Sequence, residues 1–174
     1  MIKNQQLVSL SEQQLLDCDT NDHGCDGGDM KLAFAYIQQS QGLTTESDYP
    51  YQGSAGQCML ETQGVVTISD FEQVPQDDQN ALMQAVLQQP VSIGIDGGDY
   101  HFVYYQSGVF DGTCGSDINH AVAIVGYGTD DQTGNDYWLI KNSWGDKWGE
   151  NGYMRIIRGQ NLCGLASHAS YPVM

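Results

Sequence analysis

The chain has 174 residues, of which 40% are hydrophobic, so it is long enough to bury a core as one domain or as two small ones. Acidic residues outnumber basic ones by 22 to 6, giving a net charge of −16, and this field argues against nucleic acid or an anionic membrane as a partner. No apolar run approaches the roughly 20 residues of a membrane span.

Cysteine content and the first residues give two indications about location. Five cysteines in a chain of this size predict disulfides and an oxidising compartment. Met1 is followed by Ile-Lys-Asn-Gln-Gln, which does not resemble a signal peptide. Both observations fit a fragment of a longer precursor, which we expect to be secreted, vacuolar or lysosomal.

The first half of the chain predicts two helices. Ser11-Glu12-Gln13-Gln14 is typical of a capping box that opens a brief helix through Leu16. A second helix is predicted to start at Asp29 and to stop at Gly42. Its apolar residues have the spacing of one helical face: Met30, Ala33, Phe34 and Ile37.

The second half predicts one helix and several strands. The helix covers Asp77 to Gln89, with Leu82, Ala85 and Val86 facing inward. Ala121–Val125 is apolar without alternation, which predicts a strand that is buried on both faces. The predicted strands are Val91–Asp96, His101–Tyr105, Ala121–Tyr127, Tyr137–Lys141 and Tyr153–Arg158.

These elements predict an α+β fold in two lobes. The helical lobe covers residues 1–72 and the β-rich lobe covers residues 73–174. His120 opens one apolar run and Asn142 follows another, so neighbouring strands would place the two side by side. An imidazole held by an amide oxygen is a positioned general acid/base, and it requires a thiol partner.

Three segments contain or follow these residues: His120-Ala121-Val122, Asn142-Ser143-Trp144 and Gly149-Glu150-Asn151-Gly152-Tyr153. They resemble the His and Asn segments of the papain-like cysteine proteases, especially plant-type, cathepsin L-like members. Further matching segments follow in the family's order: residues 11–18, 24–28, 49–51, 89–92 and 163–165. The resemblance implies a papain-like two-lobed fold, with the helical lobe truncated at its N-terminus, a β-barrel-like second lobe and a cleft between the lobes.

The resemblance also implies roles for individual residues. His120 would be the catalytic base, Asn142 would orient it, and Trp144 would shield their hydrogen bond. Disulfides would join Cys18 to Cys58 and Cys114 to Cys163. The family pairs the cysteine at position 25 with one in a segment that this chain does not contain, so an unpaired thiol is expected at Cys25.

The family's nucleophile lies in a Cys-Gly-Ser-Cys-Trp segment, preceded by a glutamine of the oxyanion hole. This chain contains no such segment and no equivalent glutamine. Only the last turn of that central helix is expected, in residues 1–5. The prediction is a cysteine endopeptidase fragment that is inactive alone. The alternative is a non-catalytic pseudoprotease that binds peptides or protease inhibitors. Self-association through the gap left by the missing helix is also expected.

Substrate contacts carry over from the resemblance as well, and they imply a peptide or protein substrate. Gly27 and Gly28 match a loop whose backbone pairs with an extended peptide. Acidic Asp29 and basic His168 are unusual in the main specificity pocket, and they suggest a weak preference for basic or polar side chains. The residues that match positions lining that pocket are Asp29, Met30, Gly94, Ala121 and His168.

Other readings of these residues are weaker, and we expect no metal and no cofactor. Residues 19–24 begin like a calcium loop, but Met30 stands where a bidentate glutamate is needed. His23 and Cys25 are too close in sequence for the usual zinc spacing. A catalytic role for Cys25 is less favoured than that of a half-disulfide. Gly126-Tyr127-Gly128 lacks the third glycine of a dinucleotide motif.

Overall fold

The computed structural model describes residues 7–60 and 64–174. The chain forms two compact units, one running up to Glu72 and including Pro172–Met174, the other covering Gln73–Tyr171. Helices and strands are both present, so the predicted α+β class is confirmed. The expected helix end in residues 1–5 lies outside the described residues. No helix in the described ranges is long and apolar enough to cross a membrane.

The first unit contains helices α1 (Glu12–Cys18) and α2 (Met30–Gln39), with a 3-10 turn at Gly24–Asp26 between them. Ser11 caps α1, because its hydroxyl accepts from the Gln14 N–H at 3.0 Å. Only this half of the predicted capping box forms. The Gln14 side chain is used elsewhere, since its carbonyl accepts from the Thr44 N–H at 2.8 Å and thereby ties α1 to the segment after α2.

Helix α2 begins and ends close to its predicted limits. The Asp29 carboxylate caps it by accepting from the Lys31 N–H at 2.7 Å. After the helix, Gly42 has a φ of +116°, and a Cβ there would lie 2.4 Å from the Val66 carbonyl oxygen. A side chain would be strained and would also collide, so only glycine fits at this stop.

The second unit begins with helix α3 (Gln79–Gln88), whose buried face is Leu82, Ala85 and Val86, as predicted. The predicted start at Asp77 is two residues early. Asp77 has a φ of +60°, and the cap is Asp78, whose carboxylate accepts from the N–H groups of Asn80 and Ala81.

Strand β1 (Asp70–Gln73) spans the change from the first unit to the second along the chain. The other strands are β2 (Val91–Ile95), β3 (Val109–Phe110), β4 (His120–Thr129), β5 (Asp136–Lys141), β6 (Tyr153–Ile157) and β7 (Ala169–Val173). These strands form the sheet of the second unit, in the order β7-β2-β4-β5-β6-β3. Pairing is antiparallel between β2 and its neighbours β7 and β4, and between β5 and its neighbours β4 and β6, whereas β3 runs parallel to β6.

Strand β4 corrects the prediction that Ala121–Val125 is buried on both faces. Val122 and Ile124 are buried, but Ala121 is exposed. The strand therefore alternates, and a small apolar residue simply occupies an outward position. Side chains with no exposed surface form the core of this unit: Leu82, Val91, Ile93, Ile95, Phe102, Ile124, Trp138, Ile140, Met154, Ile156 and Leu165.

The predicted strand at His101–Tyr105 is wrong, because this segment forms a short helix, α4 (Tyr100–Val103). Its aromatic composition resembles that of a strand. The Asp99 carboxylate accepts from the His101 N–H at 2.8 Å and caps a helical turn instead. The turn carries Phe102 into the core, where it is fully buried.

Arg155 links three parts of the second unit, namely strand β6, the segment before it that holds Glu150, and the turn after β4 that holds Asp130. Its guanidinium donates to both carboxylate oxygens of Glu150 at 2.9 and 2.7 Å, and to Asp130 at 2.6 Å. Glu150 also accepts from the Gly108 N–H next to β3. Hydrogen bonds from Arg155 hold the pKa of Glu150 below its ordinary value of 4.5.

Replacing Glu150 with glutamine should lower the free energy of unfolding by roughly 1–2 kcal/mol, because the bonds from Arg155 lose their charge assistance. The folded-state pKa of Glu150 lies below its unfolded value, so this stability is present above the unfolded pKa and is lost as the pH falls through the folded one. Urea unfolding of the wild type and E150Q at pH 7 and pH 3 measures the effect.

The matched control for this experiment is D131N, because Asp131 is exposed and follows Asp130 in sequence. The difference in unfolding free energy between wild type and E150Q should be largest at pH 7 and smaller at pH 3, where Glu150 is more protonated. An equal difference at both pH values would contradict a charged role for Glu150.

Candidate active site

The sheet brings His120 and Asn142 together, although they are 22 positions apart in sequence. His120 is the first residue of β4, and Asn142 follows the last residue of β5. The two strands are antiparallel, with Ala123 opposite Lys141. The start of one strand therefore meets the end of the other, as the sequence predicted.

A single oxygen fixes the imidazole. The Asn142 Oδ1 lies 2.8 Å from the His120 Nε2 and accepts from the Ser143 N–H, also at 2.8 Å. A backbone N–H can only donate, so this side-chain atom must be the oxygen and not the amide nitrogen. The oxygen in turn requires a proton on Nε2. In neutral His120 the Nδ1 is therefore the free base.

Aromatic rings surround this hydrogen bond. The Trp144 indole stacks on the His120 ring, with centroids 4.9 Å apart and an interplanar angle of 28°. Phe102 contacts Trp144 edge-on at 5.5 Å and lies 6.3 Å from His120. Trp148 packs on Phe102 at 5.3 Å. The rings restrict the imidazole and keep water from Asn142, which is only 8% exposed.

Sequence reasoning missed one support of His120, the residue that precedes it. The Asn119 Oδ1 accepts from the N–H groups of Gly97 and Gly98 at 3.0 and 3.1 Å. Its amide nitrogen donates to the buried Asp96 at 3.3 Å. Gly97 lies against His120, because a Cβ at this glycine would fall 2.5 Å from the histidine Cβ. The signal in the sequence that could have indicated this support is the pair Gly97-Gly98, shortly after the buried strand β2.

The substrate-binding candidates of the second unit are neighbours. Gly94 and Ala121 face each other across the β2–β4 ladder. The Gly94 N–H donates to the His168 carbonyl at 2.7 Å, and a Cβ at Gly94 would lie 3.3 Å from the His168 Cβ. The His168 residue is exposed.

The candidates of the first unit also lie together, at the start of α2. Gly27, Gly28 and Asp29 are exposed, and Met30 is half-buried as the first residue of the helix. Besides capping α2, the Asp29 carboxylate lies 3.5 Å from the Lys31 ammonium group. Part of its charge is therefore already compensated.

The cysteines form two disulfides, Cys18–Cys58 in the first unit and Cys114–Cys163 in the second. Cys25 carries an exposed free thiol. Within residues 7–60 and 64–174, no group of three or more histidine, cysteine or acidic side chains is arranged to hold a metal ion.

Comparisons with known proteins identify the family of this chain. The family described as papain family cysteine protease matches residues 1–173. The senescence-specific cysteine protease SAG12 of Arabidopsis thaliana is 53% identical over 179 residues, covering 99% of this chain and 51% of the relative. Vignain of Ricinus communis is 51% identical, covering 99% and 49%. The chain thus spans about half the length of these relatives.

Solved structures share the fold. The bromelain protease from Ananas comosus, in complex with the E64 inhibitor, has a TM-score of 0.94 and 40% identity, covering 99% of this chain and 81% of that one. The proform of the ragweed pollen allergen Amb a 11 has a TM-score of 0.95 and 44% identity, covering 99% and 55%. By sequence and by fold, the chain belongs to the papain family of cysteine proteases.

Proposed function

We propose that this chain supplies the general acid/base of a papain-type cysteine endopeptidase, with His120 as the base, Asn142 as its orienting residue and Trp144 as its cover. The observation that carries the proposal is the 2.8 Å contact between the His120 Nε2 and the Asn142 Oδ1, beneath a stacked indole. This contact leaves Nδ1 free to exchange a proton with a thiol.

The reaction proceeds through a thioester. The His120 Nδ1 takes the proton of a cysteine thiol, and the thiolate attacks the peptide carbonyl carbon. The imidazolium then gives that proton to the leaving amine as the C–N bond breaks. In the second half, Nδ1 takes a proton from water, and the hydroxide formed cleaves the thioester. The proton returns to the thiolate, which restores the starting state.

The thiol comes from outside residues 1–174 in this proposal. Four of the five cysteines are in disulfides. The fifth, Cys25, lies in an exposed 3-10 turn of the first unit, and the resemblance gives it the role of a half-disulfide. In this proposal the chain on its own holds the base and no nucleophile, and the substrates of the complete enzyme are peptides or proteins.

The isolated 174-residue chain should show no thiol-dependent peptide hydrolysis. Co-expression with a papain-family segment that carries the Cys-Gly-Ser-Cys-Trp motif should restore it, because the thiol then meets an oriented base. Hydrolysis of a fluorogenic peptide, with and without iodoacetamide, measures both states.

A C25S variant of the isolated chain is the matched control, and it should be as inactive as the wild type, because Cys25 is assigned to a half-disulfide and not to catalysis. Iodoacetamide-sensitive hydrolysis by the isolated chain would contradict the missing nucleophile. A correctly assembled complex that binds peptide but never cleaves it would favour the non-catalytic, peptide-binding alternative.

In the reconstituted complex, H120A should lower kcat/KM by about 10²–10⁴-fold, the usual contribution of a general acid/base. N142A should lower kcat/KM about tenfold, since His120 remains but loses the hydrogen bond that holds it. H101A is the control, because the His101 side chain is exposed and pairs with Asp99. Equal losses of kcat/KM in H101A and H120A would contradict the assignment of His120 as the base.

Substrate preference is the finer part of the proposal. The backbone of Gly27 and Gly28 pairs with an extended peptide, and Met30, Gly94 and Ala121 contact substrate side chains. Asp29 and His168 confer a weak preference for basic or polar side chains. The preference is weak because Lys31 lies 3.5 Å from the Asp29 carboxylate. E64-type inhibitors are expected ligands, since bromelain has been solved in complex with E64.

D29N should reduce the preference for lysine and arginine over leucine by about two- to fivefold, the effect of one exposed charge. A peptide library profiled on the reconstituted complex measures the change. D26N removes a charge from the same loop and should leave the profile unaltered. A wild-type profile that favours only leucine and phenylalanine would contradict the role of Asp29.

A further inference from the structure

The segment Gly27–Asp29 leaves the backbone N–H and C=O of Gly28 free. The Gly27 carbonyl accepts from the His23 N–H at 3.0 Å, and the Gly27 N–H donates to the Gly24 carbonyl at 3.3 Å. Among the described residues, the N–H and C=O of Gly28 have no hydrogen-bond partner. Gly28 is exposed, so its peptide groups are available to an extended chain.

The Asp22 side chain supports the backbone of Gly28 and Asp29. Its Oδ1 accepts from the Asp29 N–H at 2.8 Å. The carboxylate also occupies the space where a side chain of Gly28 would be, because a Cβ there would lie 2.7 Å from the Asp22 Cγ and 2.9 Å from both carboxylate oxygens. The carboxylate therefore contacts Gly28 and hydrogen-bonds the next residue.

The surroundings of Asp22 agree with a packed, supporting position. The residue is half-buried and lines a cavity of about 260 Å³ together with Gly27, Gly28 and Tyr51. Burial raises the pKa of Asp22, and the bond from the Asp29 N–H opposes this. A neutral amide of the same shape should therefore be tolerated here.

We propose that Asp22 is a positioning residue for peptide binding: its carboxylate fixes the backbone of Gly28 and Asp29 so that the Gly28 N–H and C=O pair with an extended substrate. This inference rests on the proposed function, because it assigns the support of the loop that binds substrate there. Asp22 acts on substrate affinity through Gly28 and takes no part in proton transfer.

The test uses the reconstituted complex and two substrates with the same leaving group. One has a single residue before the scissile bond, and the other has four. D22A should raise KM for the longer substrate about three- to tenfold, the effect of losing one hydrogen bond that orders the loop. Its kcat, and both constants for the shorter substrate, should stay unchanged. D22N keeps an acceptor oxygen and should stay within about twofold of the wild type.

Equal changes for both substrates in D22A would show a merely structural residue and overturn the inference. An unchanged KM for the longer substrate would also overturn it. If the wild-type complex hydrolyses neither substrate, the proposed function fails first. Amide hydrogen exchange of the full chain then decides the point about Asp22. Faster exchange of the Asp29 N–H in D22A, with D22N like the wild type, supports the positioning role, and unchanged exchange in D22A rejects it.

Discussion

The active-site arrangement depends on one oxygen, the Asn142 Oδ1, which accepts from two donors at once. The Ser143 N–H identifies it as the oxygen and holds it in place, and the His120 ring supplies the second proton. These two bonds select one tautomer of the imidazole and turn its unprotonated nitrogen away from the asparagine. Strand pairing brings His120 and Asn142 together, and the shared acceptor oxygen then fixes the orientation of the imidazole.

Burying the Asn142 side chain in this position has a cost in stability. The Asn142 amide nitrogen is buried, and among the described residues it has no hydrogen-bond partner. An unsatisfied buried donor costs about 1–3 kcal/mol. Packing of Trp144, Phe102 and Trp148 offsets it, since such ring contacts contribute about 0.5–1.5 kcal/mol each beyond their buried area. The pattern is typical of a site where orientation is kept at the expense of stability.

The sequence predicts which residues lie at the ends of neighbouring strands. It does not predict the features that depend on contacts between residues far apart in the chain. His120 and Asn142 border two apolar runs, so simple strand pairing places them together. The segment His101–Tyr105 has the composition of a strand, yet the Asp99 cap and the burial of Phe102 make it helical. The link from Asn119 to the Gly97 and Gly98 amides joins positions more than 20 apart, and no local pattern predicts it.

The arginines of this acidic chain pair with carboxylates that hold parts of the second unit together. With 6 basic against 22 acidic residues, carboxylates have few cations to pair with, and the two arginines lie where several elements meet. Arg155 holds Glu150 and Asp130, whereas Arg158 pairs with Asp136 and lies over Tyr127. Many other carboxylates cap helices and turns through backbone N–H groups. Asp130, Asp136 and Glu150, whose pKa values are lowered by their hydrogen bonds and arginine partners, therefore stay ionised to a lower pH than they would unpaired, and the links they make within the second unit persist as the pH falls.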